Sequence, residues 1–244
     1  ALLPIILLGQ WNENIKGDLE LVEKISGKTY ADYVKILQYF RLMPDSPIAN
    51  VGTIWRLKSP MDAMSYASAY LTDGDLAKLK ETCGFLIADD DPEAEDKVAS
   101  DGLEMWQFKQ QFSSEIKKGT YQSLILLSLI NDESNRRNVW VDGLLHELLN
   151  GWTLKRFLSN RTFFTLFAEA SPEAFLDFLE GIGKEIYDIV FTPQKSHMGL
   201  TGWNIYYTDL LFALEMLAWD EDYIYRVTSL LLRFSSYKND SNYA

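Results

Sequence analysis

Cysteine occurs once in this chain, at Cys83, and histidine twice, at His146 and His197. A single thiol closes no internal disulfide, and cysteine this sparse favours a reducing compartment, the cytoplasm. One cysteine and two separated histidines leave no zinc-ligand spacing. Neither a G-x-x-x-x-G-K-S/T phosphate loop nor G-x-G-x-x-G occurs. No G-x-S-x-G elbow marks a serine nucleophile. Positive charge is scarce too. Lysine and arginine number 23 against 35 aspartates and glutamates, a formal charge of −12, with an isoelectric point near 4.6. Phosphate backbones and anionic lipid recruit clustered basic residues, so neither nucleic acid nor membrane is the expected partner. The apolar run over residues 1–8 is too short to span a bilayer and has no basic flank. It reads as an element cut from a longer polypeptide. The polar stretch 235–244 reads the same way.

Core material, by contrast, is plentiful. Of the 244 residues, 47% are hydrophobic, enough for one large domain or two small ones. Residues 1–11, 17–26 and 29–43 read as three short helices. The first is apolar on every face, with Pro4 tolerable only in its opening turn. The second is amphipathic and closes at Ser26-Gly27. In the third, capped by Thr29, residues Tyr30, Tyr33, Val34, Leu37 and Phe40 line one face. Two short strands are expected around Gly52, between Pro47 and Leu57. Three helices followed by a β-hairpin is the order of a winged helix.

From Asp62 to Tyr237 every strong signal is helical, in about eight patterns. Ser59-Pro60-Met61-Asp62, Thr72-x-x-Asp75, Ser171-Pro172-Glu173 and Asp220-Glu221-Asp222 supply helix starts. The most apolar helical stretches are 124–130, 139–149, 163–170 and 203–219. The fold expected is mainly α: a winged-helix-like module with a short β-hairpin over 1–60, then an irregular, solenoid-like helical array over 61–244. No exact repeat period is present.

Chemistry-bearing residues have plain readings. His146 sits inside the helical pattern Leu144–Leu149, and His197 in the polar connection 192–199. The acidic run Asp89-Asp90-Asp91-Pro92-Glu93-Ala94-Glu95-Asp96 lacks the glycine and terminal glutamate of a calcium loop and reads as a solvated turn. Cys83 shares a helix with Leu76, Leu79 and Leu86 and reads as a small packed residue. Arg136-Arg137 and Lys155-Arg156 lie near Trp140, Trp152 and Phe157, a mixture that can stack on bases but here reads as helix surface beside core aromatics. A DNA-reading third helix would carry only Lys35 and Arg41. Gly181-Ile182-Gly183 reads as a helix end. No residue is assigned a catalytic, cofactor-binding or metal-binding role.

Several phrases are more specific: Ala1-Leu2-Leu3-Pro4 with Gly9-Gln10-Trp11; Pro47 with Val51-Gly52-Thr53-Ile54-Trp55-Arg56; Ser59-Pro60-Met61-Asp62-Ala63; Ala170-Ser171-Pro172-Glu173-Ala174-Phe175-Leu176-Asp177; and Leu211-Phe212-Ala213-Leu214-Glu215-Met216-Leu217-Ala218-Trp219. In this order the chain resembles the central region of large bacterial STAND NTPases, the Avs-type antiviral proteins. The resemblance implies a winged helix over 1–60 and the start of a helical sensor array over 61–244. It implies a parent protein with an N-terminal effector and an ATP- and Mg-dependent P-loop core. Recognition of a phage protein would release the winged helix from the nucleotide site and permit oligomerisation. STAND winged helices often set a histidine on the nucleotide phosphates; residues 1–60 contain none, so no site residue is carried over. The fragment itself is expected to be non-catalytic and to hold no cofactor. Its expected partners are a protein ligand and the neighbouring ATPase domain. The rival expectation is a helical protein-interaction scaffold unrelated to defence, and a third is an enzyme with a helical pocket around His146 or Cys83.

Overall fold

Near-continuous apolar sequence opens the chain, and it forms helix α1, Leu3–Leu8, with Pro4 in the first turn where its missing N–H leaves no hydrogen bond unmade. The computed structural model describes residues 1–95, 110–130, 136–191, 194–195, 203–204 and 206–237. These residues are mainly helical, with a three-stranded antiparallel sheet and a short second ladder. Contacts divide the chain into two units: 1–89 with 111–144, and 90–110 with 145–244.

In the first unit α1 is the centre. Ile5, Ile6, Leu7 and Leu8 are all buried, each contributing about 1.5–3 kcal/mol of hydrophobic stabilisation. The expected helix over 1–11 stops early, at Leu8. Gly9 takes φ +69°, which an L side chain resists, and the chain turns into strand β1, Gln10–Asn12. Strands β2, Ile48–Val51, and β3, Ile54–Leu57, form the expected hairpin around Gly52, whose φ is +62°. β1 pairs with β3, giving the order β1-β3-β2 with Trp11 opposite Trp55. Three residues carry too short a pattern to announce a strand; pairing with β3 makes β1 one.

Helices α2, Lys16–Ser26, and α3, Tyr30–Arg41, lie between β1 and β2. Gly27, in the left-handed region, ends α2, and the Thr29 side chain caps α3 by accepting from Asp32 N–H. Tyr33 and Leu37 are the fully buried part of the α3 face. The unit continues with α4, Pro60–Ser68, α5, Asp73–Ala88, and α6, Ser114–Leu129. A full capping box between Thr72 and Asp75 starts α5. α1 packs against α2, α4 and α6. Gly119 of α6 allows the closest approach: a Cβ there would lie 2.3 Å from the Leu8 carbonyl oxygen. One turn on, Ser123 Oγ donates to the Ile6 carbonyl at 2.9 Å. Asp18 is fully buried and accepts from Asn12 N (2.8 Å), Ser113 N (2.9 Å) and Ser113 Oγ (2.5 Å). Burial pushes its carboxyl above the ordinary aspartate value, against the pull of the Ser113 hydrogen bonds.

The contacts pass to the second unit within helix α7, Arg137–Leu149, at residue 145. Then follow α8, Leu154–Asn160, a 3₁₀ turn at Arg161–Phe163, α9, Phe164–Ala170, α10, Pro172–Gly181, and α11, Lys184–Val190. Ser171 ends α9 and also caps α10, accepting from Ala174 N–H, with Pro172 in the first turn. The core here is aromatic: Trp152, Phe157, Phe164, Phe167, Phe175 and Phe178 form an edge-to-face and tilted cluster. Strands β4, Gln194–Lys195, and β5, Trp203–Asn204, pair antiparallel before α12, Thr208–Leu217, and α13, Ile224–Ser235. The apolar stretch 203–219 is thus only partly helical. Its first two residues, Trp203 and Asn204, pair across a ladder instead.

The acidic run also departs from expectation. Instead of a solvated turn, Asp91 is buried, Asp89 pairs with buried Lys117 at 3.0 Å, and Asp90 takes both Nε and NH2 of Arg156 at 3.2 Å. Asp89 and Asp90 thus answer charges that sequence proximity does not reveal, while Asp91 accepts from the nearby Glu93 N–H. Asp96 lies outside the described residues.

Candidate functional site

Four loop-and-helix segments of the second unit enclose a cavity of about 310 Å³. The last turn of α7 supplies His146 and Leu149, and the following turn Asn150, Gly151 and Trp152. Gly151 adopts φ +68°, so the chain reverses there and brings Trp152 back under the helix end. The Trp152 indole N–H donates to the Leu148 carbonyl at 2.7 Å, and its ring meets Phe178 edge-on with centroids 4.9 Å apart. α10 contributes Ala174, Asp177 and Phe178. The link Gly181-Ile182-Gly183 and the start of α11, with Glu185 and Ile186, close the far side.

The floor of the cavity is apolar and the rim acidic. Leu149, Trp152, Ala174, Phe178, Ile182 and Ile186 are all buried. On the rim, His146 Nε2 lies 2.9 Å from Asp177 Oδ2. The other oxygen, Oδ1, accepts from Arg226 NH2 of α13 at 2.6 Å. Arg226 also donates to Glu173 at 2.5 Å and Glu180 at 2.9 Å. These three acids recur at i, i+4 and i+7 on α10, one helical stripe. The His146 contact above all, with the Arg226 contact, holds the Asp177 carboxyl below its ordinary value; Glu180 and Asp177 push the Arg226 guanidinium up. Glu185 stands apart from this network. Its carboxylate folds back over Gly183, where an added Cβ would meet Oε1 at 2.1 Å.

Among the described residues no group of three or more histidine, cysteine, aspartate and glutamate side chains could hold a metal ion. No helix of the described residues is long and apolar enough to cross a membrane. Cys83 belongs to the first unit, is fully buried, and burial pushes its thiol up to about 12. A thiol there stays protonated at neutral pH. His197 lies outside the described residues. Of the basic spots, Arg137 is buried and donates to the Leu71 carbonyl at 3.2 Å, and Arg156 is tied to Asp90. Trp152 and Phe157 are core residues. Of that basic-aromatic mixture, Arg136 is exposed and Trp140 and Lys155 are half-buried.

Sequence reasoning found His146 and the Gly181-Ile182-Gly183 helix end, yet not their meeting. It missed Asp177, Arg226 and Glu185. The carboxylate stripe at 173, 177 and 180 was a readable signal; the arginine they share, 46 residues beyond Glu180, was not. The arrangement provides a preformed hollow with an anionic edge. A histidine-aspartate pair is present without a nucleophile in the lining. Comparison with protein-family models, with curated proteins and with solved structures gives no match to this chain.

Proposed function

We propose that the chain is a non-catalytic regulatory and sensor fragment of an antiviral STAND ATPase, relaying recognition of a phage protein to the nucleotide-binding core of the same polypeptide. The observation that carries the reading is the element order α1-β1-α2-α3-β2-β3 with sheet order β1-β3-β2. In this reading that order is the winged helix expected over residues 1–60, with β1 as a strand that the sequence signals did not include. Further helices follow from Pro60 to Ser235, in keeping with an irregular array over 61–244. In this reading the fragment works in the cytoplasm, holds no cofactor of its own, and leaves ATP and Mg to the parent's P-loop domain. Its partners are that domain and a protein ligand.

Protein recognition is common to this reading and to a free-standing helical scaffold. Exposed aromatics such as Tyr66, Tyr70, Trp219 and Tyr225 are material for either. A phage challenge separates them. Cells carrying the parent gene are expected to lose protection when residues 61–244 are deleted. Undiminished protection without those residues would sink the sensor reading.

A further inference from the structure

The hollow in the second unit has the size and lining of an anchor pocket. About 310 Å³ accommodates one large side chain with room at the mouth. Its floor, built from Leu149, Trp152, Phe178, Ile182 and Ile186, offers an incoming group no hydrogen-bond partner except at the rim. The walls are fixed before anything binds. Trp152 is held by Leu148 and Phe178, and three ion pairs to Arg226 hold the rim helix. A preformed pocket spares the ordering cost of binding.

The charge at the mouth selects the neighbour of that side chain. The lining contains two carboxylates, Asp177 and Glu185, and no lysine or arginine. Both Asp177 oxygens are engaged, one by His146 and one by Arg226. Glu185 is exposed and makes no hydrogen bond or ion pair with the described residues, so its charge is available. The chain as a whole, at −12, draws cationic partners and repels anionic ones.

We propose that this pocket reads a protein ligand through one large apolar side chain whose neighbour in sequence is lysine or arginine. The apolar group fills the hollow over Trp152 and Phe178, and the cation pairs with Glu185. This assignment rests on the protein-recognition reading above and adds to it the face of the array that works and the chemistry it selects.

The test uses the whole 244-residue chain, with the Trp152 indole N–H followed by NMR and assigned through Trp152→Phe. Three probes are titrated: acetyl-Ser-Leu-Lys-Ser-amide, the same peptide with Glu for Lys, and the same peptide with Ala for Leu. The first is expected to shift the resonance saturably. The Lys-to-Glu peptide, and Glu185→Gln in the protein, are expected to weaken binding about fivefold, the upper end for an exposed ion pair or a little beyond, and the Leu-to-Ala peptide by about tenfold or more, since it removes the apolar anchor. Gly181→Phe sets a ring at the rim, where a Cβ meets only open space, and is expected to abolish the shift with the fold intact by circular dichroism. Equal shifts from all three peptides, no saturable shift from any, or indifference to Glu185→Gln would each overturn the pocket assignment and leave the sensor reading to the phage challenge. Binding as expected, with protection surviving deletion of residues 61–244, would uphold the pocket as a peptide site while removing the defence role.

Discussion

Asp18 is a buried carboxylate kept in place by three donors, from Asn12 and Ser113. Asp18→Ala strands two of them, the backbone N–H groups, in the interior. The expected loss is about 2–6 kcal/mol, from about 1–3 for each of the two buried groups left unsatisfied. It is read as a lower urea midpoint with an unchanged slope. The pH dependence has a definite sign. Burial raises this carboxyl above its unfolded value, so its stabilisation is complete below about pH 3.9 and is lost as pH rises through the raised value. The gap in urea midpoint between wild type and Asp18→Ala should therefore widen on acidification; a gap that narrows contradicts the assignment. Asp177 has the opposite sign. Its lowered value means that its contribution is present above the ordinary aspartate range and fades below it.

At the scale of elements, glycine decides where helices can touch. Gly119 lies inside α6, and a Cβ there would come within 2.3 Å of Leu8 O and 2.6 Å of Gln10 N, both backbone atoms. Neither can swing away like a side chain. Gly119→Ala is expected to cost about 3 kcal/mol, the upper part of the overpacking range, despite the better helix propensity of alanine. Gly181→Ala, at the end of α10 with nothing within 4 Å, is expected to be neutral or to gain up to about 1 kcal/mol. The thermal midpoint of Gly119→Ala should fall and that of Gly181→Ala should hold or rise. Nothing in the local sequence separates these glycines; one meets another chain segment and the other meets solvent. The elements themselves were more legible. Helix starts at Thr29, Thr72 and Ser171 and the Gly52 hairpin are local chemistry, and they stand where the pattern puts them. β1 and the β4–β5 ladder were not legible, because strands of two or three residues owe their form to a distant partner.

At the scale of the whole molecule, charge is the dominant property. A net −12 gives the surface an anionic field. Among the basic side chains, Arg137 is buried and Arg156 and Arg226 are ion-paired. The protein is expected to pass through immobilised heparin without retention at about 0.15 M salt, where exposed charge is screened beyond about 8 Å. Retention there would contradict the expectation, drawn from charge, that nucleic acid is not a partner.

The helical class, the hairpin at Gly52, the helix caps at Thr29, Thr72 and Ser171 and the sign of the charge are local or additive properties of the amino-acid sequence. These follow from side-chain periodicity, from backbone preference and from counting ionisable groups, all readable within a few residues or by summation. Only the tertiary structure decided that Asp18 and Lys117 are buried and partnered. It alone brought Gly119 against Leu8, and the end of α7, α10 and the start of α11 around one hollow. Those outcomes depend on which distant backbone and charged groups meet, and a buried carboxylate or a close-packed glycine is defined by the partner that reaches it.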